Sequence, residues 1–384
     1  MESYKCPICA NTDIHSIGYL NGKPYCRRCI SFKGEEVEHK PSFPKKAPIH
    51  LSYELSPEQK ELSDKLVENY KKGIDSLVFA VCGSGKTEIS LKVIQYAINC
   101  GDKVAFAVPR RDVVIELENR LKEIFKKNSV ISVYGGHHNA IDADLIVLTT
   151  HQLYRYKKYF SLIVLDEIDA FPFKNNETLK SIFYNSLKGH FIMMSATPSE
   201  DAIEEFRKNN KEILYLDTRF HRHPLPVPSI IIKRFFLKYF VLFKEVNLSL
   251  KAKRQLFIFA PTINECEYLY RILSLFFKGG NFVHSQVERR SQIIDEFRCK
   301  TWRFLVTTSV LERGVTVKNL DVIVFDSDHS VYDKAVLVQI AGRAGRKKED
   351  PHGKVTFIAN KKTKHMEEAC ASIIRSNKAL QDML

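Results

Sequence analysis

Short apolar runs alternate with helical patterns from about residue 50 to the C-terminus of the chain. Each run is four or five residues long and rich in Val, Ile, Leu or Phe. Such runs are typical of strands covered on both faces, and their alternation with helices indicates βαβ units with parallel sheets. The predicted strands are 77–81, 104–108, 145–149, 162–165 and 191–194 in the first half, and 255–259, 304–307, 322–325 and 354–358 in the second.

Two proline-containing segments divide the chain. Segment 40–48 contains prolines and lysines, segment 219–228 contains three prolines, and both are predicted to be linkers. The predicted organisation is an N-terminal module at 1–40, a linker at 41–50, and two α/β domains at 51–218 and 219–384. The apolar stretch 229–246 is interrupted by Lys and Arg, so it is interpreted as a strand leading into an amphipathic segment.

The composition is that of a globular protein, with 44% hydrophobic and 27% charged residues among 384. A net charge of +14 favours a polyanionic partner, although a basic surface also serves solubility. The N-terminus is polar and unlike a signal peptide, and no run reaches the roughly 18 apolar residues of a membrane span. The sequence therefore predicts a cytoplasmic protein.

Four of the nine cysteines form two Cys-x₂-Cys pairs, Cys6 with Cys9 and Cys26 with Cys29, separated by sixteen residues. This spacing is typical of a tetrahedral Cys₄ zinc site, which is structural because it leaves no open coordination position. The alternatives are two disulfides or free thiols, but the scattered remaining cysteines indicate a reducing compartment. Basic and aromatic residues around the pairs are either a nucleic-acid or protein contact or a solvated face: Lys23, Tyr25, Arg27, Arg28 and Lys33.

Residues 80–87, Ala-Val-Cys-Gly-Ser-Gly-Lys-Thr, fit a P-loop in which Ala80 replaces the first glycine. A predicted strand precedes the run and a helix pattern, 87–99, follows it. Backbone N–H groups of such a loop converge on phosphates at a helix N-terminus, and the residues predicted to supply them are Gly83, Ser84 and Gly85. Lys86 is predicted to reach the β- and γ-phosphates of ATP, and Thr87 to bind Mg²⁺. A plain glycine turn is the structural alternative.

A second predicted strand ends in two acids, Asp166 and Glu167, about 80 residues after the P-loop. At the carboxyl end of a parallel strand, Asp166 is predicted to hold the magnesium ion and Glu167 to activate the attacking water. A solvated loop start is the alternative for such a pair in isolation.

Two further runs complete a pattern that resembles superfamily 2 helicases and translocases over roughly residues 50 to 360. They are Ser195-Ala196-Thr197, which follows a predicted strand, and Gln-Ile-Ala-Gly-Arg-Ala-Gly-Arg at 339–346. The resemblance implies two RecA-like domains, with the Ser-Ala-Thr run coupling the nucleotide state to domain movement. It also implies that Arg343 and Arg346 stabilise the γ-phosphate; they would share a face if their segment were helical.

The same resemblance implies further nucleotide contacts at Gln339 and Gly314, and an adenine-reading amide at Gln59. For Gln59, an ordinary helix-surface residue is the open alternative. Four runs resemble the family's nucleic-acid contacts, and the positions implied are Pro109, Arg110, Gly135, Gly136, Thr150, His151, Thr307 and Thr308. Ser309 and Thr316 depart from the family, since many relatives carry Asp at those positions.

The leading Cys₄ module, the Asp-Glu-Ile-Asp-Ala-Phe-Pro run at 166–172 and the run 307–316 together resemble the ComFA family of late-competence ATPases. That resemblance implies a motor that binds single-stranded DNA and drives its import during natural transformation. The partners it implies are the membrane DNA-uptake channel, a phosphoribosyltransferase-like competence protein and a recombination mediator.

Two alternative functions remain from the sequence. A replication-restart helicase of the PriA type also combines two RecA-like domains with zinc, but its zinc insertion is expected within the helicase core. A zinc-ribbon DNA-binding scaffold with a vestigial ATPase is the other. It is disfavoured because a dead site has no chemical need for the five residues Lys86, Asp166, Glu167, Arg343 and Arg346.

Overall fold

A computed structural model describes residues 4–30, 32, 36–38, 42–81, 83–137, 140–169, 173, 176–196, 200–208, 211–216, 223–311, 317–345 and 353–381. The chain divides into two compact units, of which the first ends at Leu216. In the part that is described, no helix combines the length and the apolar composition that crossing a membrane requires.

The N-terminal module consists of an antiparallel hairpin with a short 3₁₀ turn on each side. Its strands are β1 (Ile17–Leu20) and β2 (Lys23–Cys26). Asn21 and Gly22 both have positive φ, 49° and 77°, which is the requirement of a tight two-residue hairpin turn. The Tyr25 ring lies across Gly18 so closely that a Cβ there would be 2.5 Å from it, so a larger residue at position 18 would displace the ring.

The first unit is built around a seven-stranded parallel sheet in the order β5-β6-β4-β7-β8-β3-β9. Its strands are β3 (Ser76–Ala80), β4 (Val104–Val108), β5 (Val130–Val133), β6 (Leu145–Thr149), β7 (Phe160–Asp166), β8 (Leu187–Ser195) and β9 (Glu212–Leu216). Its helices are α1 (Pro57–Lys72), α2 (Lys86–Asn99), α3 (Arg111–Ile124), α4 (Glu177–Ser186) and α5 (Glu200–Lys208).

The second unit has a six-stranded parallel sheet in the order β10-β15-β14-β11-β13-β12. Its strands are β10 (Ser229–Ile232), β11 (Gln255–Phe259), β12 (Gly280–Val283), β13 (Phe304–Thr307), β14 (Leu320–Phe325) and β15 (Val355–Ala359). Its helices are α6 (Leu237–Lys251), α7 (Ile263–Phe276), α8 (Arg290–Arg298), α9 (Lys334–Ala341) and α10 (Lys364–Gln381).

Apolar cores cover both faces of each sheet, as the strand composition predicts. In β4, Phe106 belongs to one core and its neighbours Ala105 and Ala107 to the other, because successive side chains of a strand point to opposite faces. Every predicted strand is present, and the stretch 229–246 contains β10 and α6 as expected. The predicted fold class, two parallel-sheet RecA-like domains preceded by a small Cys₄ module, is confirmed.

The strands that the sequence did not predict in the two sheets, β5, β9 and β12, all lie at a sheet edge. An edge strand is covered less completely, so its sequence needs less continuous apolar character. In β9 the pattern is Glu-Ile-Leu-Tyr-Leu with only Leu216 buried, and β12 begins Gly-Asn.

The described part of the predicted linker, residues 42–50, is bound to the first unit. Ala47 is only 2% exposed, its N–H donates to Asn99 Oδ1 at 2.9 Å, and its carbonyl accepts from Gln95 Nε2 at 2.7 Å. Lys45 forms an ion pair with the buried carboxylate of Asp144 at 2.7 Å. This segment therefore holds its place along α2 and the amino end of β6 and is not a free tether.

Candidate active site and metal centre

The P-loop has the backbone conformation of a phosphate cradle. Gly83 and Gly85 have φ of 84° and 86°, which residues with a Cβ rarely adopt. Ser84 is fully buried, and its N–H donates to Val81 O at 3.1 Å. Helix α2 begins directly after the loop, at Lys86, one residue earlier than the predicted 87–99, so its unpaired N–H groups and positive dipole end meet the loop.

Gln59 is a buried neighbour of the P-loop. It is 3% exposed, which rules out the helix-surface alternative. Its Oε1 accepts from the N–H of Ser56 at 2.9 Å in the capping box of α1, and its Nε2 lies 2.4 Å from where a Cβ on Gly85 would stand. The amide therefore fixes the start of α1 against the loop, and its contact with adenine stays a prediction.

Asp166 ends β7 beside the P-loop lysine, and Glu167 follows it. Lys86 Nζ lies 3.1 Å from Asp166 Oδ1, and each side chain is 16% exposed. The N–H of Glu167 donates to the same carboxylate at 2.8 Å. Burial raises the pKa of Asp166, and the neighbouring Glu167 adds to that rise, whereas Lys86 opposes it. A cation at this carboxylate would act in the same direction as Lys86.

Glu167 adopts a left-handed conformation, with φ of 62°. For a residue with a long side chain this costs on the order of 1–3 kcal/mol and persists only where the surroundings enforce it. Such strain is concentrated at functional positions, which agrees with the predicted role of Glu167 in activating water.

The start of the Ser-Ala-Thr run is joined to the loop that follows the acid pair. Ser195, at the end of β8, donates from its hydroxyl to Asp169 Oδ1 at 2.9 Å. Ala196 is buried, while Thr197 and residues 170–172 of the acid run lie outside the described residues. The bond connects the carboxyl ends of β7 and β8, which are neighbours in the sheet.

The donor set fits ATP with magnesium. The P-loop amides and Lys86 are the groups that hold phosphates, and Asp166 is an oxygen ligand within reach of that lysine. Thr87 lies in the first turn of α2, where its side chain is half-buried. Its magnesium contact remains a prediction.

In the second unit, Gln339 and Arg343 are both buried, at 4% and 7% exposure. Helix α9 ends at Ala341, so Arg343 lies in the following turn, where its N–H donates to Ile340 O at 3.0 Å. Arg343 is therefore not part of α9, whose C-cap is Gly342, and Gly345 has a positive φ of 59°. Arg346 and Gly314 lie outside the described residues.

Three of the segments that are predicted to contact nucleic acid, the DNA-contact segments, follow adjacent β-strands of the first sheet. Pro109 and Arg110 follow β4, Gly135 and Gly136 follow β5, and Thr150 follows β6. Since these β-strands are parallel and lie in the order β5-β6-β4, the three segments lie side by side at the carboxyl ends of the strands. His151 lies next to Thr150 in the first unit. The last two predicted contacts belong to the second unit, where Thr307 ends β13 fully buried and Thr308 follows it.

An aromatic stack accompanies these segments, and sequence reasoning missed it. The His137 ring stacks on Tyr134 with centroids 4.8 Å apart, and the guanidinium of Arg111 lies 4.8 Å from the same Tyr134 ring. His137 is exposed. The sequence gives only an aromatic residue before two glycines, which is too common a pattern to identify the stack.

The four patterned cysteines converge as a metal site requires. Their sulfur atoms all lie within 4.8 Å of one another, with Cys6 and Cys29 at 3.8 Å and Cys9 and Cys26 at 3.8 Å. A tetrahedron with zinc–sulfur bonds of about 2.3 Å has edges of about 3.8 Å. The disulfide alternative is wrong, because all four cysteines are free. Burial raises the pKa of the Cys9 thiol to about 11, and a bound cation would favour the thiolate form of this sulfur.

Comparison with known proteins gives consistent matches over both units. The family model described as type III restriction enzyme, res subunit, matches residues 52–200, and the helicase conserved C-terminal domain matches 238–348. The fold is similar to that of S. cerevisiae Dbp5 bound to RNA and ADP BeF₃, with a TM-score of 0.62 and 18% identity over 86% of this chain and 98% of that one.

Two competence proteins match almost the full length. The chain is 32% identical to competence protein ComFA of Bacillus subtilis (strain 168), over 97% of this chain and 86% of that protein. It is also 32% identical to ComFA of Streptococcus pneumoniae (strain ATCC BAA-255 / R6), over 97% of this chain and 90% of that protein. With its two helicase domains and this level of identity, the chain belongs to the ComFA family, a group of helicase-like competence proteins of superfamily 2.

Proposed function

We propose that this chain is an ATP-driven motor that moves along single-stranded DNA and serves DNA import during natural transformation. The observation that supports this most is the arrangement of residues at the carboxyl ends of the strands in the first sheet. The P-loop follows β3, and Asp166 and Ser195 are the last residues of β7 and β8, whereas the three DNA-contact segments follow β5, β6 and β4. The two groups meet where β4 pairs with β7, so the residues of the nucleotide site lie next to the proposed DNA contacts. A conformational change at the nucleotide site can therefore reach those contacts.

The residues divide the chemistry of hydrolysis between them. Lys86 and the P-loop amides hold the phosphates, and Glu167 orients the attacking water and accepts its proton. Magnesium, when bound with ATP at Asp166 and Thr87, neutralises charge that develops on the phosphate oxygens. The role of Arg343 as an arginine that stabilises the same charge rests on the family resemblance.

The Ser195–Asp169 bond is the proposed coupling element. It ties the strand end that carries Ser195 to the loop that carries the acid pair, so a shift of that loop on hydrolysis is passed to β8. Coupling of this kind requires an element with two arrangements, and the hydrogen bond is a defined contact that a conformational change can break.

The single-stranded DNA is proposed to be held mainly through its phosphates. Arg110 supplies charge and Gly135 and Gly136 supply backbone amides. Burial lowers the pKa of His151, so this ring is neutral near pH 7 and acts through hydrogen bonding and not through charge. The exposed His137 ring, already stacked on Tyr134, is the proposed aromatic surface for a base.

Location and partners are proposed from the family. The motor is placed on the cytoplasmic side of the membrane, working with the DNA-uptake channel, a phosphoribosyltransferase-like competence protein and a recombination mediator.

Single-stranded DNA is expected to stimulate ATP hydrolysis by the purified chain at least roughly tenfold, with weaker stimulation by duplex DNA. The reason is that the base faces are open to stacking on the protein only in a single strand, whereas the bases of a duplex are already paired and stacked. Arg110→Ala is expected to raise the DNA concentration needed for half-maximal stimulation several-fold and to reduce its salt dependence, because one phosphate contact is lost. Steady-state phosphate release over a DNA titration at two salt concentrations measures both effects.

Arg298→Ala is a matched control, because Arg298 is a partly exposed arginine of α8 that pairs with Asp295 three residues away. It is expected to leave the DNA titration unchanged. An ATPase rate that no polymer alters would contradict the proposed function and return the zinc-ribbon scaffold as the better explanation.

A further inference from the structure

The Cys₄ module packs on the first unit beside one of the DNA-contact segments. Phe32 follows the second cysteine pair, and its N–H donates to Cys29 O at 2.9 Å. Its ring lies 5.5 Å from the Tyr154 ring and 6.2 Å from the His151 ring, nearly parallel to the latter at 30°. The backbone of Phe32 is thus tied to a cysteine of the cluster while its side chain contacts the segment after β6.

Two more contacts attach the module on either side of this ring. The N–H of Val37 donates to Arg155 O at 2.8 Å, at the end of the same segment. Asn185, the penultimate residue of α4, donates from Nδ2 to Pro7 O at 2.9 Å and Ile8 O at 3.1 Å, both within the first cysteine pair. Each cysteine pair is therefore anchored separately, and a metal between the pairs fixes the distance between the two anchors.

The segment that receives these contacts has weak internal support. Thr150–Arg155 is a 3₁₀ helix, which has poorer hydrogen-bond geometry than an α-helix and is rarely this long. Arg155, 6% exposed, donates from Nε to Gln152 Oε1 at 2.7 Å and so orients that side chain. The hydroxyl of Thr150 is buried and has no hydrogen-bond partner within the described part of the chain. The conformation of the segment Thr150–Arg155 consequently depends on the groups that pack against it.

We propose that the metal-loaded Cys₄ module positions the segment Thr150–Arg155, through Phe32 and Asn185, for its contact with single-stranded DNA. Phe32 and Asn185 are positioning residues, and the metal affects how the strand is held without taking part in hydrolysis. This inference rests on the proposed function, because that function assigns a strand contact to the segment. It predicts that loosening the module weakens DNA binding while leaving the ATPase rate without DNA intact.

The test uses the full chain with Phe32→Ala, and Asn185→Ala as an independent second variant. Phe32→Ala is expected to raise the Kd for a fluorescent oligo-dT about three- to tenfold, the loss that corresponds to a pair of aromatic contacts. The DNA concentration for half-maximal ATPase stimulation rises in parallel, while basal hydrolysis and metal content match the wild type. Amide hydrogen exchange at 150–156 becomes faster.

Two control variants separate positioning from general damage. Phe32→Tyr keeps the ring and is expected to restore both DNA affinity and slow exchange. Phe43→Ala removes a ring that is 72% exposed, and it is expected to behave as wild type throughout.

Unchanged oligo-dT affinity together with unchanged exchange at 150–156 in both Phe32→Ala and Asn185→Ala would overturn the proposal. The exchange measurement needs no DNA, so it also separates this proposal from the function beneath it. If DNA fails to stimulate the wild-type chain, the proposed function fails, and faster exchange in Phe32→Ala would still establish that the module holds the segment.

Discussion

Replacing Lys86 with alanine is expected to lower the rate of ATP hydrolysis by roughly 100-fold or more, the scale of loss seen when a preorganised charge-stabilising group is removed. Lys86 is the cation at the head of the P-loop and lies 3.1 Å from Asp166 in a site where both side chains are only 16% exposed. In so little solvent, water does not replace the missing charge. The phosphates would lose their lysine, and the buried Asp166 carboxylate would lose the group that counters the rise in its pKa.

Steady-state phosphate release with saturating DNA measures this prediction. Lys92→Ala is the matched control, because Lys92 lies on the same helix with its side chain 53% exposed and paired with Asp64. It is expected to retain nearly the full rate. A Lys86→Ala variant that is folded and hydrolyses ATP at more than half the wild-type rate would exclude the site described here as the catalytic one.

Zinc is expected at about one ion per chain, and Cys26→Ser is expected to lose the ion together with the fold of residues 4–30. Among those residues only the four cluster cysteines and Gly18 are buried, so the module has almost no apolar core of its own. In modules of this kind the free energy of metal binding, about 10–16 kcal/mol, is effectively the free energy of folding. The P-loop and the acid pair make no contact with the cysteines among the described interactions, so hydrolysis without DNA should persist.

Metal analysis of the purified chain and limited proteolysis measure the two parts of this prediction. Cys26→Ser is expected to be cleaved within its first 40 residues, whereas the wild type resists. Cys100→Ser and Cys299→Ser are controls at exposed cysteines outside the cluster, and both should keep the ion. A wild-type chain free of bound metal, yet resistant to cleavage in the module, would contradict the metal centre.

The fold could be predicted from the sequence because six central strands, β4, β6, β11, β13, β14 and β15, are buried at every position. Strands β4, β6, β11 and β13 have the predicted bounds, since a strand covered on both faces is apolar at most of its positions. Edge strands escape this requirement, and β9 and β12 were missed for that reason. The missed strand β5 is mostly buried, but it is only four residues long and Ser132 interrupts its apolar run. The Pro- and Lys-containing segment before α1 was predicted to be a linker because proline patterns do not reveal that Ala47 is buried.

The candidate site could be predicted where its chemistry is carried by contiguous residues. The P-loop and the acid pair are short runs, and their partnership follows from a fold in which parallel strands end at one edge. The contacts of Gln59 with Gly85 and of Phe32 with Tyr154 join residues far apart in the chain and leave no local pattern. The position of Arg343 after the end of a helix could not be predicted either, because only the structure shows that α9 ends at Ala341.

The alternative of a PriA-type replication-restart helicase also depended on long-range information. Its distinguishing feature is the position of the zinc insertion, and here the cysteines precede the helicase domains. The similarity to two ComFA proteins over 97% of this chain decides between the two families.

Movement along single-stranded DNA is the central claim, and the most direct measurement follows arrival of the motor at a dye placed at one end of oligo-dT strands of increasing length. With ATP, the time to the signal is predicted to increase linearly with strand length for the wild-type chain. Glu167→Gln, which keeps the P-loop but lacks the group that activates water, is predicted to bind the strands and give no length-dependent delay. An arrival time independent of strand length, under conditions where DNA stimulates hydrolysis, would contradict translocation and leave a DNA-activated ATPase that does not move.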